Sequence, residues 1–332
     1  MVKNKVLLLG ATGETGGDIL NGLVEDGSFD VACLVRPSSA SSAAVQELST
    51  RGHNIVVVDL KGSFEKLVEA VRGYDTIISA IGAPDQTQQL ELVDAAAAAG
   101  TKRFVPCAFM TVCPPGGIIG SRDDKESVYQ RIWYHHLPYT IIDIGFWHQA
   151  SVPRLASGRI DSKLIVARNE IYADGNVKSM LSDKRDIGRW VARIVQDERT
   201  INKKVFAHSE FLSQNDIVRI VEEKSGEKLE LTHLSTTELK ARREKAWADY
   251  VADPTSISKR LLRSIDDYNV SKYIRQDDTP ENAKYLGYLD ARELYPDVKT
   301  IGFAEFMDDF LADKIKRPYE GKHIGLMKPT QK

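Results

Sequence analysis

The 332-residue sequence predicts an α/β fold: a Rossmann-type, doubly wound parallel sheet over residues 1–150, then a smaller C-terminal α/β substrate lobe over residues 151–332, some of whose segments return to the first domain. Three observations carry this prediction. Short apolar runs alternate with helical patterns through the first half, as a parallel sheet with crossover helices requires. The first run, Val6-Leu7-Leu8-Leu9, passes through Gly10-Ala11-Thr12-Gly13-Glu14-Thr15-Gly16 directly into an amphipathic segment bearing Ile19, Leu20, Leu23 and Val24. After Gly145-Phe146-Trp147-His148-Gln149 the pattern changes to short strand-like pieces between longer, charged helices.

Taken in order, strands are expected at 5–9, 31–35, 55–58, 75–80, 103–107 and 139–144, with helices over 16–26, 40–51, 63–72, 86–99 and 122–136. The connections are short, as right-handed crossovers prefer. The alanine run 95–99 stops at Gly100, a glycine-terminated helix. Ser121 reads as an N-cap followed by acids Asp123 and Asp124 in the first turn. The helix it opens carries Lys125, Val128, Tyr129, Ile132 and Trp133 on one face. In the second lobe, strands are expected at 163–166, 170–172, 204–207 and 229–231. The charged segment 236–275, with Trp247, Tyr250, Leu261 and Leu262 interspersed, reads as helices that cover another part of the molecule, and 327–332 as a frayed tail.

Composition narrows the function classes. Hydrophobic residues make up 42% of the chain, enough for a sizeable core. Lys and Arg (45) nearly balance Asp and Glu (47), for a net charge of −2, so no global field favours nucleic acid or a membrane surface as partner. No apolar run reaches membrane-spanning length, and the first strand begins at Lys5, so no signal or transit segment is expected and the expected location is cytoplasmic. Three cysteines, Cys33, Cys107 and Cys113, are too few for a disulfide framework and match no zinc spacing, so no metal is expected. The expected assembly is a monomer or homodimer that binds a small-molecule substrate.

In a doubly wound sheet, ligands lie outside the C-terminal strand edges. Gly10 lets the chain turn off the strand, Gly13 lets the backbone approach a pyrophosphate, and Gly16 lets the helix pack close to the sheet. The helix N-terminus beyond them aims free N–H groups at the phosphates, so Thr12, Glu14 and Thr15 fall at the cofactor as well. The second strand ends in Val35-Arg36-Pro37, and an arginine there favours a 2′-phosphate through its planar fork, hence NADPH over NADH. Ser38, Ser39 and Ser41 read either as extra donors or as a solvated loop. Asp59 reads either as an adenine-edge contact or as a turn cap. Ala80, Ile81 and Gly82 close the fourth strand with residues small enough for a cofactor along the sheet edge, or for a tight βα turn. Trp147 and His148, past the sixth strand, are pocket-wall candidates, with a structural role as the alternative for the histidine. Two Tyr-x-x-x-Lys pairs, Tyr268/Lys272 and Tyr295/Lys299, lie far beyond the last sheet strand and are expected to be chance pairs away from the site.

These residues resemble those of the NmrA-like, isoflavone-reductase-like branch of the atypical short-chain dehydrogenases, in its fungal secondary-metabolism form. The resemblance rests on the glycine turn 10–16, Val35-Arg36-Pro37, Lys102-Arg103-Phe104-Val105-Pro106, the Lys125 helix leading into Pro138-Tyr139-Thr140, Asp186-Ile187-Gly188, Ile201-Asn202-Lys203 and Leu212-Ser213-Gln214-Asn215-Asp216. It runs from the first strand to about residue 315. The resemblance implies NADPH/NADP+ held by Gly10, Gly13, Gly16 and Arg36, and makes Lys125, which stands thirteen residues before Pro138, the catalytic acid/base and a residue at the cofactor as well. No second basic residue follows Arg36 in 37–50, which implies a weaker 2′-phosphate clamp. Family reductases of phenylpropanoids read Pro-Ser-Glu-Phe-Gly after the fifth strand, whereas this chain reads Pro106-Cys107-Ala108-Phe109-Met110. Cys107 therefore falls at the cofactor, and Phe109 and Met110 give the substrate mouth a less polar lining than an isoflavone or lignan site.

The function expected from these readings is NADPH-dependent reduction of a small aromatic, polyketide or alkaloid-like metabolite, with hydride from the nicotinamide and a proton exchanged with Lys125. Two rivals share the fold: an isomerase, cyclase or ring-opening enzyme that retains NADP(H), and a nonenzymatic NADP(H) sensor. A lysine in the cleft separates the first reading from the sensor, which needs no proton donor.

Overall fold

The run Asn4–Leu9 forms β1, whose Val6, Leu7 and Leu8 are fully buried, as a parallel strand covered on both faces requires. The computed structural model describes residues 3–166 and 168–320; the tail at 327–332 lies outside the described residues. After β1 the chain alternates through α1 (Glu14–Asp26), β2 (Phe29–Val35), α2 (Ala43–Thr50), β3 (Asn54–Val57), α3 (Phe64–Val71), β4 (Thr76–Ser79), α4 (Gln89–Ala99), β5 (Arg103–Val105), α5 (Gly120–Tyr134) and β6 (Thr140–Asp143). The side chains of Ser42 and Ser63 cap α2 and α3, and Gly100 ends α4 in the left-handed conformation.

The expected N-cap of α5 is displaced. The helix already begins at Gly120, whose N–H donates to the carboxylate of Asp267 at 3.2 Å, so a distant acid takes over the role expected of Ser121. Asp123 is occupied in the preceding loop, accepting from the N–H groups of Gly116 and Gly117 at 2.8 Å each.

The second half contains β7 (Phe146–Trp147), β8 (Glu170–Tyr172), β9 (Lys178–Ser182), α6 (Lys184–Gln196), β10 (Lys203–Phe206), β11 (Glu210–Ser213), α7 (Gln214–Ser225), β12 (Thr232–Leu234), α8 (Thr236–Ala252) and α9 (Ile257–Asn269). A π-helix over Val270–Arg275 continues α9, followed by α10 (Pro280–Tyr285), β13 (Tyr288–Asp290), α11 (Ala291–Leu294) and α12 (Phe303–Leu311).

The main sheet runs β3-β2-β1-β4-β5, all parallel. A parallel bridge between Phe104 and Tyr139 carries it to β6, and β10 and β13 extend it further in parallel. The piece expected as a second-lobe strand at 204–207 therefore belongs to the nucleotide-binding sheet. Two other expectations are also corrected. Residues 163–166 meet no partner strand among the described residues: Asp161–Lys163 is one 3-10 turn and Leu164 is buried in the second-lobe core. The strand expected at 229–231 begins at Thr232 and pairs in parallel with β8, while β7, β9 and β11 form a separate small sheet.

One layer of the core packs Ile19, Leu23, Ile187 and Trp190 against the sheet, and the other packs Leu67, Leu92, Val128 and Tyr129. The first layer depends on two glycines. A Cβ on Gly22 would collide with the backbone of Gly188, and one on Gly188 with the carbonyl of Asp18, so α1 and α6 cross at backbone contact. A third core, with Leu155, Ile220, Phe303, Phe306 and Phe310, holds the second lobe together.

Candidate functional site

A cleft of about 850 Å³ opens at the C-terminal ends of β1, β2 and β4, where the strand order reverses, and the second lobe forms its far wall. The glycine turn forms its floor. Gly10 has φ +93°, and a Cβ there would collide with the carbonyl of Ala80; a Cβ on Gly16 would collide with the carbonyl of Gly10. The turn thus draws β1, β4 and the start of α1 together at backbone contact, closed by a 2.8 Å bond from Gly13 N–H to the Gly10 carbonyl. Gly13, at the N-cap of α1, provides no side-chain cap, so the first N–H groups of that helix are served by the backbone turn and whatever anion sits before it. This cradle fits the pyrophosphate of a dinucleotide.

Gly10, Thr12, Gly13, Glu14, Thr15, Arg36, Ala80, Ile81, Gly82, Cys107, Phe109, Met110, Lys125 and Trp147 all line this one cleft. Gly16 does its work one layer behind. Arg36 is half-exposed at the rim, 3.7 Å from the carboxylate of Asp85. Of the serines after it, Ser39 lines the cleft and Ser38 and Ser41 do not. Asp59 lies outside the lining, and its carboxylate accepts from the N–H of Lys61 at 3.0 Å, which is the turn-cap geometry.

Lys125 enters from the first turns of α5 and is buried, 7% exposed. Its ammonium donates to the carbonyl oxygens of Cys107 (2.5 Å) and Ala108 (2.9 Å) and to Oε1 of Gln86 (3.3 Å). These three oxygens, with the Cys107 sulfur at 3.7 Å, surround the ammonium, and no carboxylate among the described residues forms an ion pair with it. Gln86 is set for this by its own amide, which donates to the carbonyls of Ile81 and Gly82 at 3.2 Å each. The thiol of Cys107 donates to the Ile81 carbonyl at 3.2 Å, and its backbone N–H is held by Gln89 at 2.8 Å. Next to it, Phe109 has φ +44°, a conformation that costs a bulky residue about 1–3 kcal/mol and that the 2.8 Å bond from its N–H to the Ile142 carbonyl maintains. The strain turns the 107–111 segment inward, so that its side chains form the cleft wall.

Trp147 stacks on Tyr319 with ring centroids 6.0 Å apart, and the ammonium of Lys184 lies 5.0 Å from the centroid of the Trp147 ring. Lys184 also pairs with Glu14, whose carboxylate accepts from the backbone N–H of Tyr319 at 2.7 Å. The end of the described chain is thereby tied across the glycine turn. His148, one residue on, points the other way. It is completely buried against Phe303, 5.2 Å between ring centroids, and neither ring nitrogen has a hydrogen-bond partner among the described residues. Burial pushes its pKa down to about 4, so it is a neutral core residue outside the cleft.

Sequence reasoning missed the far wall. α9 and the π-helix cross the mouth, placing Leu261, Ile265, Tyr268 and Lys272 in the lining, so the Tyr268/Lys272 pair expected to be remote is in the site. The spacing was visible, but only the return of α9 over the sheet edge brings it there. It does not form a tyrosine–lysine acid pair: the ring of Phe146 packs against both, 5.5 Å from the Tyr268 ring and 3.4 Å from the Lys272 ammonium, and burial raises the Tyr268 hydroxyl above its ordinary range. Tyr295 is away from the cleft, donating to Asp197 at 2.8 Å. Among the described residues no cluster of His, Cys, Asp and Glu is arranged to hold a metal, and no helix is long and apolar enough to cross a membrane.

Comparison with known proteins places this architecture. The model of the NmrA-like family matches residues 2–306. The asnovolin J 5′,6′-dehydrogenase nvfM of Aspergillus novofumigatus (strain IBT 16806) is 37% identical over 310 residues, covering 92% of this chain and 95% of that protein. The protein named "Probable pinoresinol-lariciresinol reductase 3" of Arabidopsis thaliana is 30% identical over 93% of this chain and 98% of its own length. Among solved structures, the binary complex of leucoanthocyanidin reductase with NADPH from Vitis vinifera shares the fold, with a TM-score of 0.77 at 21% identity over 93% of this chain and 99% of that one. From its first strand to α12, the chain belongs to the NmrA-like family.

Proposed function

We propose that this chain is an NADPH-dependent reductase of a small aromatic or polyketide-like metabolite, with Lys125 as general acid/base. The observation that carries the reading is the position of Lys125: a buried ammonium in the same cleft as the glycine cradle, held by backbone carbonyls and one amide, with no ion-pair partner among the described residues. The relatives named above are a dehydrogenase and a reductase by name, and the solved leucoanthocyanidin reductase complex holds NADPH. When bound, the dinucleotide supplies the hydride.

The chain's own residues do the rest. The glycine turn and the N-terminus of α1 receive the pyrophosphate, and Arg36 meets a 2′-phosphate at the rim. The aromatic and thioether wall of Phe109, Met110, Phe146 and Trp147 excludes water and favours a substrate with a flat apolar face. Gln86 makes the longest of the three bonds from Lys125 to an oxygen, so a substrate oxygen enters by displacing it, while the carbonyls of Cys107 and Ala108 keep the amine aimed. The ammonium then gives that oxygen its proton, or, in the oxidative direction, the amine receives it.

The test is spectroscopic. Purified protein is mixed with NADPH, or with NADP+, and a panel of aromatic and polyketide ketones, enones and benzylic ethers, and reduced-cofactor absorbance is followed. Turnover of one class in wild-type protein supports the reading. Tight NADPH binding with no turnover of any panel member in either direction removes it in favour of the two rivals without net redox chemistry, the isomerase or cyclase and the sensor.

A further inference from the structure

The cleft contains a second lysine whose surroundings differ from those of Lys125. Lys272 sits in the π-helix that continues α9, is 2% exposed and lines the cleft. Its ammonium lies 3.4 Å from the centroid of the Phe146 ring and 4.7 Å from that of Tyr273, and its single hydrogen bond among the described residues is a 3.4 Å contact to the Tyr273 hydroxyl. No carboxylate among the described residues lies within ion-pair distance of it. The acid that acts on it electrostatically, Asp278, is already engaged by the hydroxyl of Ser179 at 2.7 Å and the N–H of Val112 at 2.9 Å. A buried cation with aromatic faces, one weak bond and, among the described residues, no carboxylate in direct contact carries an unmet cost that a ligand anion would relieve.

We propose that Lys272 is a substrate-binding residue that takes a carboxylate or enolate oxygen of the ligand, so that the substrate class is a flat, conjugated acid. π-helical turns widen the backbone and re-aim side chains, and here the widened turn brings a lysine into the cleft wall. The two amines thus divide the work: Lys125, held by three oxygens, faces the reacting centre, and Lys272 binds an oxygen elsewhere on the same molecule. Burial drives the Lys272 amine below the ordinary lysine range while Asp278 pulls it back up, so the anion is best offered in mild acid, where the amine is charged.

This inference rests on the cleft being the substrate site, and its test does not depend on turnover. The NADP+-loaded full chain is titrated calorimetrically at pH 6 with 4-hydroxycinnamate and, separately, with 4-hydroxycinnamyl alcohol, which differ only in the carboxylate. Wild-type protein is expected to bind the acid at least tenfold more tightly than the alcohol. In K272M and K272Q the difference shrinks to within about twofold with the alcohol's affinity kept, whereas K125M retains it. A wild-type protein without the preference, or without binding of the acid at millimolar concentration, overturns the assignment, as does either Lys272 variant that keeps the preference. Loss of the reductase reading would leave this binding difference standing, so the two fail separately.

Discussion

Lys125 reaches from α5 across the cleft to donate a 2.5 Å hydrogen bond to the carbonyl oxygen of Cys107. A lysine fixed this way is oriented by backbone atoms of the chain itself, which is the preorganisation an acid/base residue needs. K125M keeps the stem and removes the proton donor. The expected result is a fall in kcat of about 10²–10⁴-fold, the usual range for a lost general acid, with NADPH affinity within about threefold of wild type. Unchanged turnover in K125M would falsify its catalytic role.

At the rim, Arg36 stands 3.7 Å from Asp85, and both side chains are partly exposed, so the pair itself contributes little stability. Its meaning is competitive: the acid occupies a guanidinium that a 2′-phosphate would otherwise have to itself. R36A should weaken NADPH about 10–100-fold, the equivalent of roughly 1.5–3 kcal/mol for a lost charge-assisted bond, and NADH no more than about threefold. D85N should tighten NADPH by about two- to threefold. Equal losses for both cofactors in R36A would remove the 2′-phosphate assignment.

What was legible in the sequence was what is local in the chain. The glycine turn, Arg36 and Lys125 each sit at a fixed offset from a strand or helix that their own neighbours specify, so reading the element places the residue. His148 and Lys272 illustrate the opposite. Trp147, in the cleft, and His148, in the Phe303 core, are consecutive residues that part company because β7 ends at the first and a 3-10 turn begins at the second. Lys272 reaches the cleft only because α9 folds back over the sheet edge. Ser121 loses its capping role to Asp267, an acid that no local pattern links to Gly120. The strand at 203–206 has the same composition whichever sheet it joins, so its pairing with β6 is a tertiary fact.

The α1–α6 crossing gives a stability prediction with its own control. A methyl group at Gly188 would meet the Asp18 carbonyl, and neither backbone can move without shifting a helix. G188A should destabilise the protein by about 1–3 kcal/mol, as overpacking does, visible as a Tm lowered by several degrees. At Gly17, also helical, a Cβ would have only ordinary contact, 3.6 Å from the Ala11 carbonyl. G17A should therefore be neutral or stabilising by up to about 1 kcal/mol through helix propensity. Similar melting losses in both variants would mean that the close crossing is not the cause.

His148 makes acid sensitivity testable. Burial lowers its pKa from 6.5 to about 4 in the folded protein, and His208, buried beneath Phe206, is lowered to about 4 as well. Between those two values the unfolded chain binds protons that the folded chain refuses. Stability is thus fully present above about pH 6.5 and is lost as pH falls toward 4, with an upper bound of roughly 3 kcal/mol per histidine at 1.36 kcal/mol per pKa unit. H148L keeps an apolar contact with Phe303 and Phe306 and removes one of the two protonation sites. Chemical denaturation at pH 7.5 and pH 4.5 should show a smaller pH-dependent loss in H148L than in wild type, with turnover at pH 7.5 unchanged because the residue lies outside the cleft. If H148L loses stability between these pH values as steeply as wild type, the buried histidine is not the acid-labile element.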